Sequence, residues 1–221
     1  MVTGASGGLG PAVVEAFLAA GATVAGVARS VKARDDTGRF VAVSADLTSA
    51  VGVQSAVDQT VQKAKGLDVL VHGLGGFAGG QPVHATDDAT WDRMMDLNLR
   101  SAFLITRAVL PHMLRARYGR IVAVGSRTGL EPSARLSAYG AAKAGLNALI
   151  RAIALETTDQ GITANVVLPG IIDTEANRKA MPKSDFSRWV PPEKIAQQIL
   201  WLCSEAASET SGALIPVYGK S

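Results

Sequence analysis

A chain of 221 residues is long enough to bury a sizeable core and short enough for one domain. Its 48% hydrophobic and 19% charged residues are ordinary for a globular protein, and a net charge of +3 with scattered basic residues argues against nucleic acid as a partner. The longest apolar stretches are strand-sized and leave no membrane helix, and the lone Cys203 excludes an internal disulfide and any multi-cysteine zinc site.

The chain opens MVTGASGGLG, which reads as a strand stub, Met1-Val2-Thr3, and then a glycine-rich turn. PAVVEAFLAAGA follows, with Val13, Val14, Phe17 and Leu18 at helical spacing. Glycines at Gly4, Gly8 and Gly10 let a backbone turn sharply and approach a pyrophosphate, and the helix behind them offers free N–H groups. A glycine turn alone is a weak signal, because many tight turns look the same. The strand-turn-helix context strengthens it.

Apolar β-type runs come next: TVAGVA (23–28), FVAVS (40–44), VLVHG (69–73), RIVAVGS (120–126), TANVVL (163–168) and ALIPV (213–217). Helical patterns lie between them, at about 50–65, 87–117, 137–158 and 192–204. Such alternation predicts an α/β fold: one Rossmann-type, doubly wound parallel sheet with helices on both faces. The first strand is shortened. The connection SVKARDDTGR (30–39) is too short for a crossover helix and is expected to be a loop or single turn. No repeat or linker divides the chain, so residues 1–221 form one domain. The first residues already belong to the glycine loop, so no signal peptide is expected and a cytoplasmic location fits.

Ser126 ends the run RIVAVGS, and thirteen residues later comes YGAAK. If YGAAK opens a helix, Tyr139 and Lys143 sit one turn apart on one face. A phenol has a pKa of about 10 and is a poor acid or base at neutral pH. A neighbouring ammonium favours the phenolate and lowers that value. A serine hydroxyl facing this helix can hydrogen-bond a substrate oxygen. Such a trio suits carbonyl reduction or alcohol oxidation. A lone Y-x-x-x-K is equally well a solvated helix face.

TGASGGLG, Asn98-Leu99, Ser126 with Tyr139 and Lys143, and Leu168-Pro169-Gly170 followed by Thr174 together resemble the short-chain dehydrogenase/reductase family, in order and spacing, over essentially the whole chain. The resemblance implies a nicotinamide cofactor and a catalytic tetrad of Asn98, Ser126, Tyr139 and Lys143. It also implies cofactor contacts from Gly4, Ser6, Gly8, Leu9, Gly10, Asp46, Leu47, Gly73, Leu74, Gly75, Pro169, Gly170, Ile172 and Thr174, besides Tyr139 and Lys143. Asp46 falls near the adenine amine, and Ile172 and Thr174 near the nicotinamide carboxamide and phosphate. His72 takes the place of an asparagine and is read as a satisfied strand-end residue. The three histidines show no ligand spacing, so no metal is expected.

Cofactor choice rests on the end of the second strand, where an acid binds the ribose hydroxyls of NAD and a base accepts the extra phosphate of NADP. Ala28 stands where the acid would be and Arg29 follows, which favours NADP(H), with NAD(H) as the alternative. The substrate is expected to be a small carbonyl or alcohol compound, with a 3-oxoacyl thioester as one candidate. It would lie under a lid at about 173–191, with Phe77, Arg127 and Trp189 as candidate contacts. That lid, and GGFAGG (75–80), also resemble the dihydropteridine reductases, the nearest enzymatic alternative. A dinucleotide-binding sensor without turnover is the alternative from another class, and an assembly scaffold is the third. The resemblance further implies a homodimer or homotetramer built on the helices at 87–117 and 137–158. Phe103, Ile105, Val109 and Leu110 would meet Ala141, Ala144, Gly145, Ala148 and Ala152 there.

Overall fold

The computed structural model describes residues 1–33 and 38–220. Seven strands form one parallel sheet: β1 (Val2–Thr3), β2 (Val24–Ala28), β3 (Phe40–Ser44), β4 (Val69–His72), β5 (Gly119–Val124), β6 (Ile162–Pro169) and β7 (Leu214–Val217), in the order β3-β2-β1-β4-β5-β6-β7. Each inner strand is a near-continuous apolar run because helices cover both faces of the sheet. In β6 all eight residues are buried. The first strand is indeed short. Val2 pairs with Gly26 and Val71, and Thr3 with Val27 and His72, so two residues bridge the halves of the sheet. No helix separates β2 from β3 among the described residues of their connection; residues 34–37 of it lie outside them.

The α-helices are α1 (Gly10–Ala19), α2 (Ala50–Ala64), α3 (Asp88–Met95), α4 (Ser101–Ala116), α5 (Ser137–Glu156), α6 (Glu175–Ala180) and α7 (Pro192–Leu202). α1 starts where Pro11 presets the first turn, and it buries Val13, Val14, Phe17 and Leu18. Each such side chain contributes roughly 1.5–3 kcal/mol when fully buried. α1 and α7 pack on one face of the sheet, over Val2, Val71, Val122 and Val167. α2, α4 and α5 close the other, over Val27, Leu70, Ile121 and Val166.

Two expectations from sequence change here, and the lid gains detail. The long helix at 87–117 is interrupted by a π-helical turn, Asp96–Arg100, between α3 and α4. Ile105 and Val109 are fully buried in the chain's own core, so they cannot face another subunit. Periodicity finds the apolar positions of a helix but cannot say which of its two apolar flanks the sheet takes. Within the expected lid, six residues form α6, whose N-terminus is capped by the Thr174 hydroxyl accepting from Asn177 N–H at 3.2 Å.

Candidate active site

The strand order reverses between β1 and β4, and a crevice opens at the carboxyl ends of these strands. It is a cleft of about 660 Å³ lined by Gly4, Ser6, Gly7, Ala28, Arg29, Asp46, Leu47, Gly73, Leu74 and Gly75, among others. Gly4 has φ +70°, and a Cβ there would come within 2.7 Å of the Gly73 carbonyl oxygen, so only glycine brings β1 and β4 together in this way. The N-terminus of α1 has no side-chain cap and no acidic residue in its first turn, so its positive dipole end is not offset there, although Gly10 N–H is already bonded to the Gly7 carbonyl at 3.2 Å. Gly8 lies against Thr174: a Cβ on Gly8 would be 2.6 Å from Thr174 Cγ2. The glycine turn and the segment after β6 therefore meet over the crevice. Gly170 N–H is bonded to the Val217 carbonyl at 3.1 Å, and Ile172 bridges to Val190.

At the β2–β3 edge of the cleft, Arg29 is exposed and its carbonyl accepts from Ser44 Oγ at 2.8 Å. Asp46 accepts from Thr48 N–H at 3.0 Å and Thr48 Oγ1 at 2.8 Å. Those bonds hold its carboxyl below the ordinary range, with the Arg29 charge a smaller cause. Leu47 is buried beneath it. Asp46 is thus a structural turn residue whose carboxylate stays ionised at the cleft.

The four catalytic candidates converge beside Gly75. Asn98 sits in the π turn, buried. Its amide donates to the Gly76 and Met94 carbonyls at 3.0 Å each, and its Oδ1 accepts from Gly76 N–H at 3.2 Å. A Cβ on Gly75 would lie 2.9 Å from Asn98 Oδ1 and 3.4 Å from Lys143 Nζ, so Gly75 fits between two of the four. Lys143, on α5, is buried and donates to the Val124 carbonyl at 2.8 Å. Burial pulls its ammonium down to about 8. Ser126 follows β5. Its Oγ accepts from Thr128 N–H at 3.2 Å, and its own proton is turned toward the Tyr139 oxygen.

Tyr139 departs from expectation. Its phenol is raised above the ordinary value by burial, and the facing Ser126 hydroxyl pulls it back in part. Lys143 Nζ is 5.9 Å from the centre of the Tyr139 ring, and desolvation outweighs any lowering by it. A raised pKa keeps the phenol protonated at neutral pH, the form that a general acid needs.

The three substrate-side candidates separate. Phe77 is 67% exposed and meets the Tyr139 ring edge-on, with centroids 5.1 Å apart. Arg127 is stacked over Tyr218 and paired to Glu131 at 2.7 Å. Trp189 is only 5% exposed and rests on Phe186, so its role in this conformation is packing. The reading of sequence missed Asn147, one helical turn beyond Lys143. Its amide donates to the Gly129 carbonyl at 3.1 Å and so steadies the turn that follows Ser126. The i, i+4 spacing from Tyr139 through Lys143 was the available signal. His72 is a satisfied buried residue as expected, and Cys203 is buried, with its thiol pushed up to about 12.

A second cavity of about 660 Å³ lies at the amino ends of β5 and β6, lined by Arg117, Arg120, Arg151 and Glu205 among others. Unlike the first cleft, whose Gly75 lies against Asn98 and Lys143, its lining residues have no described contact with the four groups. Among the described residues there is no cluster of histidine, cysteine and acidic side chains that could hold a metal ion, and no helix is long and apolar enough to cross a membrane.

Residues 1–185 match the short chain dehydrogenase family. The chain is 34% identical to 2-(S)-hydroxypropyl-CoM dehydrogenase 3 of Xanthobacter autotrophicus, over 99% of this chain and 94% of that one. It is 31% identical to the 3-oxoacyl-[acyl-carrier-protein] reductase FabG of Salmonella typhimurium, over 99% and 95%. Among solved structures, ElxO with NADP bound superposes with a TM-score of 0.92 at 25% identity, covering 99% of this chain and 96% of that one.

Proposed function

The chain belongs to the short-chain dehydrogenase family and is an NAD(P)(H)-dependent oxidoreductase, and from that premise we propose that it uses NADP(H) to interconvert a small carbonyl compound and its alcohol. The observation that carries the reading is the grouping of Asn98, Lys143, Tyr139 and Ser126 next to Gly75, a residue of the glycine-lined cleft. The cleft also suits a dinucleotide: Gly4, Ser6 and Gly7 of the turn before α1 line it, that helix has no side-chain cap, and added Cβ atoms at Gly4 and Gly8 would collide with neighbouring groups.

Gly4, Ser6, Gly8, Leu9 and Gly10 would hold the pyrophosphate, with Asp46 and Leu47 at the adenine. Gly73, Leu74 and Gly75 would follow the ribose, and Pro169, Gly170, Ile172 and Thr174 the nicotinamide end. Arg29 would meet the extra phosphate; the absence of an acid at Ala28 supports this, since nothing there repels it. When bound, the nicotinamide supplies the hydride. Tyr139 donates its proton to the carbonyl oxygen, and Ser126, whose hydroxyl faces the phenol, would donate to that same oxygen. Lys143 offsets the negative charge left on the phenolate and binds ribose. Asn98 keeps the Gly76 backbone in place beside them and would link Lys143 to solvent through a water.

Phe77, exposed beside the Tyr139 ring, is the candidate wall for the substrate, and Arg127, just after Ser126, a further candidate contact. A thioester-linked ketone is the first substrate to try, given the names of the relatives. We place the enzyme in the cytoplasm as a homo-oligomer. A panel of carbonyls that includes 3-oxoacyl thioesters and quinonoid dihydropterin, each with NADPH and NADH, tests the reading. Oxidation of NADPH by at least one simple ketone or 3-oxoacyl thioester is expected. Nucleotide binding without turnover across the panel would instead favour a sensor, and turnover of dihydropterin alone a dihydropteridine-type reductase.

A further inference from the structure

His72 is 1% exposed and the mechanism does not use it, yet both ring nitrogens have partners. On one side Thr3 Oγ1 lies 3.0 Å from Nδ1, and that same oxygen accepts from Leu74 N–H at 3.3 Å. On the other, Ser101 Oγ lies 3.3 Å from Nε2 and donates its proton to the Leu97 carbonyl at 2.8 Å. A hydroxyl has one proton to give. Ser101 has spent its own on Leu97, so it can only accept from Nε2–H. A neutral ring carries one proton, so Nδ1 is the acceptor and Thr3 is the donor. The bonds then run in one direction: Leu74 N–H to Thr3, Thr3 O–H to Nδ1, Nε2–H to Ser101, and Ser101 O–H to the Leu97 carbonyl.

Leu74 and Leu97 both line the dinucleotide cleft. Leu97 also precedes Asn98, which grips Gly76 through its own amide. The turn at 74–76 is therefore tied to the π turn twice, at Gly76 directly and at Leu74 through the histidine. We propose that His72, as the neutral Nε2–H tautomer, is a positioning residue that couples the cofactor-lining turn at Leu74 to the π turn carrying Asn98. The proposal rests on the functional reading above for its consequence and on the hydrogen-bond directions alone for its geometry. Burial, with the Lys143 charge adding to it, holds the ring down to about 3, which keeps it neutral.

Ring ¹⁵N shifts of the full chain, measured from pH 5 to 9, test the tautomer. A constant pattern with the proton on Nε2 is expected; a proton on Nδ1, or a ring that titrates in this range, overturns the proposal. Two half-relay variants test the coupling. His72→Asn keeps an acceptor toward Thr3, and His72→Gln keeps a donor toward Ser101. Each is expected to raise the Kd for NADPH, read by its fluorescence, and to lower kcat, together costing roughly tenfold or more, since small misplacements near the chemistry are expensive. Unchanged Kd and kcat in folded variants overturn the proposal. If both fail to fold, Ser101→Ala breaks the chain of bonds without touching the ring, and the same two outcomes apply. Shifts and nucleotide binding need no turnover. An unmodified chain that reduced nothing would count against the reaction and leave the relay standing.

Discussion

Lys143 Nζ donates to the Val124 carbonyl at 2.8 Å while lying 5.9 Å from the centre of the Tyr139 ring. Two residues four apart on α5 thus share one buried pocket, and the strand end, not the phenol, holds the ammonium. Burial drives the two groups apart in pKa, the phenol up and the ammonium down to about 8, because it disfavours the charged form of each.

Tyr139→Phe removes the proton donor and leaves the glycine turn and Lys143 in place. Turnover is expected to fall by about 10²–10⁴-fold, the usual worth of a general acid. The Kd for NADPH should stay within a small factor of its original value. Near-normal turnover would remove Tyr139 from the mechanism.

Lys143 gives a pH signature with a defined sign. Its pKa is about 8 in the folded chain, against an ordinary value of 10.5. Below pH 8 both states hold the proton, and the native state bears the cost of a buried charge, about 3 kcal/mol from the size of the shift. Between about pH 8 and 10.5 the unfolded chain binds more protons than the native one, so stability from this group rises with pH. The stability of the chain relative to a Lys143→Met variant should therefore increase from pH 8 to 10.5 in denaturant titrations. Reductive turnover should fall over the same rise, because a neutral amine no longer offsets the phenolate charge. A flat stability difference would mean that Lys143 keeps an ordinary pKa.

Arg29→Ala should weaken NADPH far more than NADH, because the guanidinium would meet only the extra phosphate. Its exposure at the cleft edge leaves the fold unaffected. An equal loss for both nucleotides would instead assign Arg29 to stacking on the adenine.

Gly75→Ala would put a methyl group 2.9 Å from Asn98 Oδ1 and 3.4 Å from Lys143 Nζ. One of them must move, and either movement disturbs the site. A loss in kcat/KM of roughly tenfold or more is expected, with a melting temperature that moves little compared with core variants. Unchanged kinetics would show that the two groups have room to give.

The sheet was legible because strands buried on both faces are continuous apolar runs, as TANVVL within the fully buried β6 shows. The π turn was not, because helical periodicity runs through Asp96–Arg100 without a break and the extra residue per turn leaves no mark in composition. α6, EANRKA, was invisible for another reason: it buries no residue, so it has no apolar stripe. Ser126, Tyr139 and Lys143 were readable from residue type and spacing, whereas Asn98 came only with the resemblance to the family. The direction of the Tyr139 shift was not, since charge pairs are visible in a sequence and desolvation is not. The Thr3–His72–Ser101 connection joins residues far apart in the chain, and only the pairing of β1 with β4 brings its first two members together.

The last prediction concerns assembly. α5 turns Lys143 and Leu146 inward and leaves Ala141, Ala144, Ala148 and Ala152 exposed along the opposite stripe, with Leu155 at its end 79% exposed. On α4 the exposed stripe is Phe103, Arg107, Pro111 and Leu114, with Leu110 half-buried, and Arg107 stacks over the Phe103 ring. Small residues let helices approach closely, and a two-fold axis would set each stripe against its own copy. Since Ile105 and Val109 belong to the core, the adhesive contacts on α4 reduce to Phe103, Leu110 and Leu114. Ala148→Glu places a charge on the stripe without touching the buried face of α5. Sedimentation at micromolar concentration should show a dimer or tetramer of the unmodified chain and a monomer of the variant. An unmodified chain that sediments as a fully active monomer of about 23 kDa would reject the oligomer, and an Ala148→Glu variant that stays assembled would move the interface to another face.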